Sequence, residues 1–223
     1  MKRTKLRDRH LPVYTQGEEI MNMVTHIVGG GLAIAGSIFC IIASCRHGGW
    51  ANILGAAIYC VSMICVYTMS SIYHGLYCGT AKKVMQVIDH CAIYFLIAGT
   101  YTPIMLCALR PVHPIWAWSL LSVVWGIAAL AATLNAIDLK KFAVFSMICY
   151  IGMGWCVLAG IKPVIKVIPA GGLWLLVLGG VIYTLGAVAY GFGKKKRYMH
   201  SVFHIFCLLG SVLQALCIIF YIL

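Results

Sequence analysis

Residues 200–223 read HSVFHIFCLLGSVLQALCIIFYIL, with no Asp, Glu, Lys or Arg anywhere in the stretch. A soluble helix keeps its apolar residues to one stripe, whereas this run is apolar on every face for about 20 residues, the length needed to cross a bilayer core. Working back towards the N-terminus, comparable runs occur at roughly 170–191, 142–160, 115–134, 91–109, 53–71 and 27–45, and with 202–223 they make seven. Across the 223 residues only 10% are charged and 62% are hydrophobic, which leaves too little polar surface for a soluble domain. An all-α integral membrane bundle of seven transmembrane helices is therefore predicted, with residues 1–17 a basic N-terminal segment and residues 18–223 the membrane domain.

The formal charge of +12 is no signature of nucleic-acid binding, because its carriers lie in short loops and tails between apolar runs. Basic loops are retained in the cytoplasm. Lys2, Arg3, Lys5, Arg7, Arg9, Lys82, Lys83, Lys140, Lys141, Lys194, Lys195, Lys196 and Arg197 fall on one side of a seven-span alternation, and Arg46, Arg110, Lys162 and Lys166 on the other. The count places the N-terminus in the cytoplasm and the C-terminus outside, in a multi-pass protein of the cell inner (plasma) membrane. Ile42-Ala43-Ser44-Cys45 looks like a lipoprotein cleavage site, but the basic start is too long and the apolar run reaches spanning length, so an uncleaved first span is expected.

Of the eleven cysteines most fall inside the apolar runs, and no CxxC pair occurs, so the histidines must carry any metal argument. His200 and His204 are four apart and stack on one face of a helix, a spacing at which two imidazoles can grip one ion. The second span ends in Ser70-Ser71-Ile72-Tyr73-His74 on the same side of the membrane, so His74 can supply a third ligand. Three histidines leave the fourth tetrahedral position of a zinc open, as catalytic sites do. Asp89 opens the third span on that side, and Ser70 lies one turn before His74. His90 is rotated about 100° from Asp89 around the helix and is expected to point elsewhere. Glu19, Asn22 and His26 share a face just before the first span and read either as groups that orient the ligands or as an ordinary helix start. Each half of this pattern is weak alone, since an HxxxH occurs by chance in many helices and interfacial histidines often bridge lipid and water. Their arrival on one side, with an acid and a hydroxyl, points to a metal. Pro103 in the third span removes a backbone hydrogen bond and predicts a kink. Trp116, Trp118 and Trp174 read as interfacial anchors.

Taken together, Glu19-xx-Asn22-xx-Thr25-His26, Ser70-xxx-His74, Asp89 and His200-xxx-His204 resemble the progestin and adiponectin receptor family, specifically its bacterial hemolysin III branch. Ala98-Gly99-Thr100-Tyr101-Thr102-Pro103 is also close to that branch, and the likeness spans almost the whole chain. It implies a zinc held by His74, His200 and His204, with Asp89 holding the reactive water and Ser70 contributing beside it. Where the branch often has another late histidine, this chain has Gln214. The expected activity is hydrolysis of a lipid amide of ceramide type, with a membrane lipid or acyl chain as substrate, in membrane lipid homeostasis. Two other readings remain open: a non-enzymatic homeostasis or signalling protein with structural zinc, and a pore-forming hemolysin. The last lacks a ring of charges or an amphipathic insertion segment.

Overall fold

A computed structural model describes residues 4–193 and 196–223. The first helix begins where its sequence provides a cap. Thr15 lies in extended backbone, its Oγ1 accepts from Glu18 N, and the Glu18 carboxylate accepts from Thr15 N at 2.8 Å. This reciprocal capping box starts α1 (Gln16–His47) eleven residues before its apolar run. Gly48, at φ 65°, ends it, a left-handed conformation that a residue without Cβ adopts at no steric cost. The chain continues through α2 (Trp50–Gly75), α3 (Thr80–Pro103), α4 (Pro114–Asp138), α5 (Ala143–Gly154), α6 (Ile161–Val167), α7 (Ala170–Gly193) and α8 (Met199–Cys217). No strand occurs among the described residues. With α5 and α6 counted as one crossing, seven helical segments among the described residues are long and apolar enough to span a membrane.

Two irregularities have local causes. Pro103 cannot donate to the carbonyl one turn back, and the backbone widens after it into a π-helical stretch, Ile104–Leu109, closed by Arg110 N on Met105 O at 2.8 Å. The expected kink therefore takes the form of a wide turn that keeps the helix going. The fifth apolar run, 142–160, belongs to one crossing whose helix type changes along its length. After Gly154 the chain passes through a 3-10 stretch, Cys156–Gly160, before α6 resumes with Pro163 in its first turn, where a missing N–H costs nothing.

Neighbours in sequence pack as neighbours in space through α4, and α7 pairs with α8, which closes back on α1. Close approach of α1 and α2 depends on Gly29, whose place a Cβ could take only 2.5 Å from the Tyr67 ring. Hydroxyls inside the bundle bond their own helices, as with Ser37 on Ala33 O and Thr100 on Leu96 O, so these buried hydroxyls are satisfied away from water. Outward faces are apolar: Phe39, Val61 and Val144 are 59%, 67% and 75% exposed, as are Trp116, Trp118 and Trp174 to a similar degree.

The starts of α1, α3 and α8 and the end of α2 meet at one end of the bundle. Basic residues gather there, including Lys82, Lys83, Arg7 and Arg9. Lys2, Arg3, Lys194 and Lys195, which the charge count also uses, lie outside the described residues. Residues 4–14, in the basic N-terminal segment, fold across this end. Thr4 N donates to Asp138 Oδ2 at 2.9 Å, and Lys83 Nζ donates to Arg7 O at 2.6 Å.

Candidate metal centre

His200 and His204 lie one turn apart at the start of α8 and turn the same way, with their Nε2 atoms 3.1 Å apart. His74, from the last turn of α2, closes on them. The ring centroids of His74 lie 5.3 Å from His200 and 5.0 Å from His204. One nitrogen of each of the three histidines falls within 4.8 Å of the others, so the group can hold a metal ion.

The outer nitrogens explain why the rings face inward. Glu19 Oε2 lies 2.6 Å from His74 Nδ1, with Asn22 Nδ2 at 3.5 Å, and the carbonyl of Asn22 lies 3.2 Å from His204 Nδ1. Both Nδ1 atoms thus meet acceptors, and the ring proton belongs there, which leaves the Nε2 lone pairs pointing at the centre. His74 Nε2 is buried without a hydrogen-bond partner. A buried imidazole lone pair left bare is costly, and a cation coordinated by it removes the cost. The donor set therefore fits a metal.

Around the histidines lies a buried lattice. Lys82, only 3% exposed, donates to Glu19 Oε1 at 2.7 Å and to Leu76 O at 2.9 Å, which compensates the carboxylate that orients His74. Ser201 donates to Asn22 Oδ1 at 2.6 Å, fixing Asn22 so that its carbonyl meets His204. Glu18 accepts from Tyr198 N at 2.8 Å and ties the start of α1 to the turn before α8. Tyr14 lays its ring over His200, centroids 5.1 Å apart at 24°, and its burial raises the phenol pKa. Lys82, Ser201 and Tyr14 were not singled out from the sequence. Lys82 counted there only as a loop charge, and nothing local marks Tyr14 as a lid on a histidine.

The other named residues surround this centre in different ways. His26 stacks on His204 with centroids 3.7 Å apart, and neither of its nitrogens has a partner. Ser70 and Asp89 stand near the histidines from α2 and α3. Both are buried, and both border a cavity of about 690 Å³ that also touches His200 and His204. His90 does not point elsewhere as expected: its Nδ1 is 3.6 Å from Asp89 Oδ2 and it too borders the cavity, because its ring folds back to Gln86 O at 2.8 Å. Away from the histidines the walls are apolar, with Ile97, Met147, Trp155 and Val177 among them, and the volume lies within the range for one small ligand. Gln214, in the place of the expected late histidine, borders it as well.

Seven membrane-length helices with a buried three-histidine cluster at one end define a multi-pass membrane protein with a candidate metal centre. Residues 14–215 match the sequence profile of the family described as Haemolysin-III related, and the chain belongs to that family. It is 36% identical to Hemolysin-3 of Bacillus cereus over 206 residues, 92% of each chain. It is 35% identical to the Hemolysin-3 homolog of Bacillus subtilis over 209 residues, 94% of this chain and 96% of that one. Similarity extends to the human Monocyte to macrophage differentiation factor, at 26% identity over 162 residues, 68% of this chain and 63% of that protein.

Proposed function

We propose that the chain is a zinc-dependent hydrolase of lipid amides, ceramide-like in class, that works in membrane lipid homeostasis from the inner membrane with its histidine end in the cytoplasm. The observation that carries this reading is one continuous cavity bordered by His200, His204, Asp89 and Ser70 at one end and by apolar walls beyond. Zinc suits the set because tetrahedral ligands about 2.0–2.1 Å from the ion stand roughly 3.3 Å apart, close to the 3.1 Å between His200 and His204, and no cysteine among the described residues joins the three-histidine group to favour a softer ion.

When bound, zinc supplies a Lewis acid that polarises a carbonyl and lowers the pKa of a water towards about 7. The chain's own residues do the rest. Asp89, buried beside the histidines, is placed to take a proton from the attacking water and return it to the leaving amine. Ser70 borders the same cavity and is placed to donate its hydroxyl to the carbonyl oxygen. The cavity walls exclude water from the acyl chain. Basic residues collected at the histidine end fit the cytoplasmic assignment under the rule for basic loops.

The test is fatty-acid release from N-acyl lipids in liposomes by purified protein, with zinc measured on the same samples. Zinc-loaded wild-type protein should release fatty acid, and about one zinc per chain is expected from a three-ligand site. A second reading, zinc as a purely structural tie, is favoured by the way Glu19, Asn22, His74 and His204 join α1, α2 and α8. No release from a broad lipid panel by fully loaded protein would select it.

A further inference from the structure

Along the apolar walls beyond the histidines, the bundle pairs polar groups with one another. Thr184 donates to Gly180 O at 2.8 Å and accepts from Trp155 Nε1 at 3.0 Å, and Tyr101 donates to Gly154 O at 3.2 Å and accepts from Val157 N at 2.8 Å. All border the cavity. Gln214 departs from this pattern. Its side-chain amide has no hydrogen-bond partner among the described residues, and its oxygen and nitrogen are not shut away from open space. Spacing settles the face on which it stands. His200, His204, Cys207, Ser211 and Gln214 follow one another on α8 at intervals of four, three, four and three residues, the repeat of a single helix face, and all border the cavity.

One turn before Gln214, three hydroxyls meet. Tyr67 donates to Ser211 Oγ at 2.6 Å, and Tyr183 Oη lies 2.6 Å from the same oxygen. The first bond uses the Tyr67 proton and the second uses the proton of either Ser211 or Tyr183, so the other of that pair keeps an O–H with no acceptor among the described residues. Tyr67, Ser211 and Tyr183 border the cavity too. An O–H and an amide left unpaired in an apolar wall each carry a cost that a hydrogen bond to an occupant removes. Ser211 and Gln214 follow His204 by seven and ten residues, or roughly 10 and 15 Å of helix. They therefore stand beside the chain of a molecule whose carbonyl lies at the histidines, not beside its head.

We infer that Ser211, Tyr183 and Gln214 form a polar subsite within the apolar cavity, which receives a hydroxyl carried on the hydrocarbon chain of the substrate. A hydroxyl matches the set: it donates to the Gln214 amide oxygen and accepts from the spare O–H of Ser211 or Tyr183, whereas a plain methylene offers neither and leaves both groups bare. The inference rests on the hydrolase reading for the carbonyl's place at the histidines. It adds the substrate class, amides of fatty acids hydroxylated far from the carbonyl.

The experiment is equilibrium binding of ricinoleyl and oleyl alcohols, which differ in one hydroxyl beyond the middle of the chain and hold no bond to hydrolyse, to purified full-length protein in nanodiscs. Affinities are corrected for uptake by protein-free nanodiscs. Wild type should hold ricinoleyl alcohol about fivefold or more tightly, the worth of one or two hydrogen bonds. Gln214→Met, which keeps the length of the side chain and loses its polar end, should bring that ratio to about one. An isomer with its second hydroxyl beside the head group should bind wild type no better than oleyl alcohol. Equal affinity for ricinoleyl and oleyl alcohols overturns the inference, as does a preference that persists in Gln214→Met or an equal gain from the isomer. Should Gln214→Met bind neither alcohol, the two hydroxyl positions compared on wild type decide, because that contrast needs no variant. Release of ricinoleate and oleate from their ethanolamides, measured alongside, separates this inference from the hydrolase reading. A lower KM for the ricinoleoyl amide supports both, and a binding preference without release from either amide supports the subsite while overturning the hydrolase.

Discussion

The two sides of the bundle solve opposite problems. Where α1, α2 and α8 meet, the interior is polar and closed: Glu19, Asn22, His74, Lys82, Ser201 and His204 pass hydrogen bonds from one to the next, and each oriented group leaves one atom facing the centre. Between α3, α5 and α7 the interior is apolar and slack, α5 makes only sparse contact with α7, and the cavity opens there. A metal site needs fixed ligands, and hydrogen bonds fix them by direction. A chain of methylenes needs only volume, because apolar attraction is non-directional. Substitutions on the closed side should therefore alter metal and fold, and those on the open side should alter which substrates are accepted.

The largest effect is expected from His200→Ala, which removes a ligand and one of the cross-helix ties at once. Zinc content should fall to background, hydrolysis should vanish, and the detergent melting temperature should drop with them. Metal analysis and thermal melting on one preparation check all three, and full zinc retention in a His74→Ala, His200→Ala, His204→Ala triple variant would rule the centre out. Asp89→Ala comes next. No hydrogen bond joins Asp89 to His74, His200 or His204 among the described residues, so zinc and melting temperature should stay at wild-type values while fatty-acid release falls roughly 10²–10⁴-fold, the usual worth of a general base. Wild-type turnover in Asp89→Ala would sink its catalytic role.

A smaller effect should follow Glu19→Gln. The amide keeps the shape of the carboxylate but meets His74 Nδ1 without charge and leaves buried Lys82 short of its counter-ion. Loss of such an orienting partner typically weakens metal affinity by 10–100-fold. Competition with a chelator of graded strength reads this directly, and an unchanged affinity would mean that Glu19 serves only Lys82.

What the sequence disclosed follows the same division. Seven apolar runs are plain because a bilayer imposes length and composition on each helix separately. His200 and His204 are plain because four residues on a helix fix their mutual placement whatever surrounds them. The apolar runs begin about eleven residues after α1 and α3 do, because the early turns carry Glu18, Glu19, Asn22 and Lys82, whose partners, such as Tyr198 N, His74 and Ser201, come from other elements. Lys82 and Ser201 depend on partners sixty or more positions away, as do the bonds of Arg9, and no local pattern encodes such meetings. The break at Trp155 was hidden for another reason: Gly152, Gly154 and Pro163 are tolerated in membrane helices, where neighbours restore lost backbone bonds, so their presence does not tell a break from a smooth helix.

The smallest effect, and the one that separates the two sides most sharply, belongs to the far end of the cavity. Gly180 borders it in α7, and a Cβ there would stand 3.6 Å from the Trp155 ring, an ordinary contact, so a side chain can be added without disturbing the backbone. Gly180 precedes Tyr190, whose ring lies 5.6 Å from that of His200, by ten residues, or about 15 Å of helix. Gly180→Leu should therefore leave zinc, Asp89 and short-chain amides untouched and obstruct only acyl chains long enough to reach that depth. A pocket that gains or loses a few methylenes changes discrimination modestly, and about a tenfold rise in KM for long-chain over short-chain amides is expected, with kcat unchanged. The matching change on the closed side is Ala33→Leu, where the residue is 1% exposed in the core. Overpacking there should cost about 1–3 kcal/mol of stability and leave the chain-length profile as it was. If Gly180→Leu instead lowered kcat for every chain length, or Ala33→Leu shifted the profile, the two sides would not be the independent regions that their packing describes.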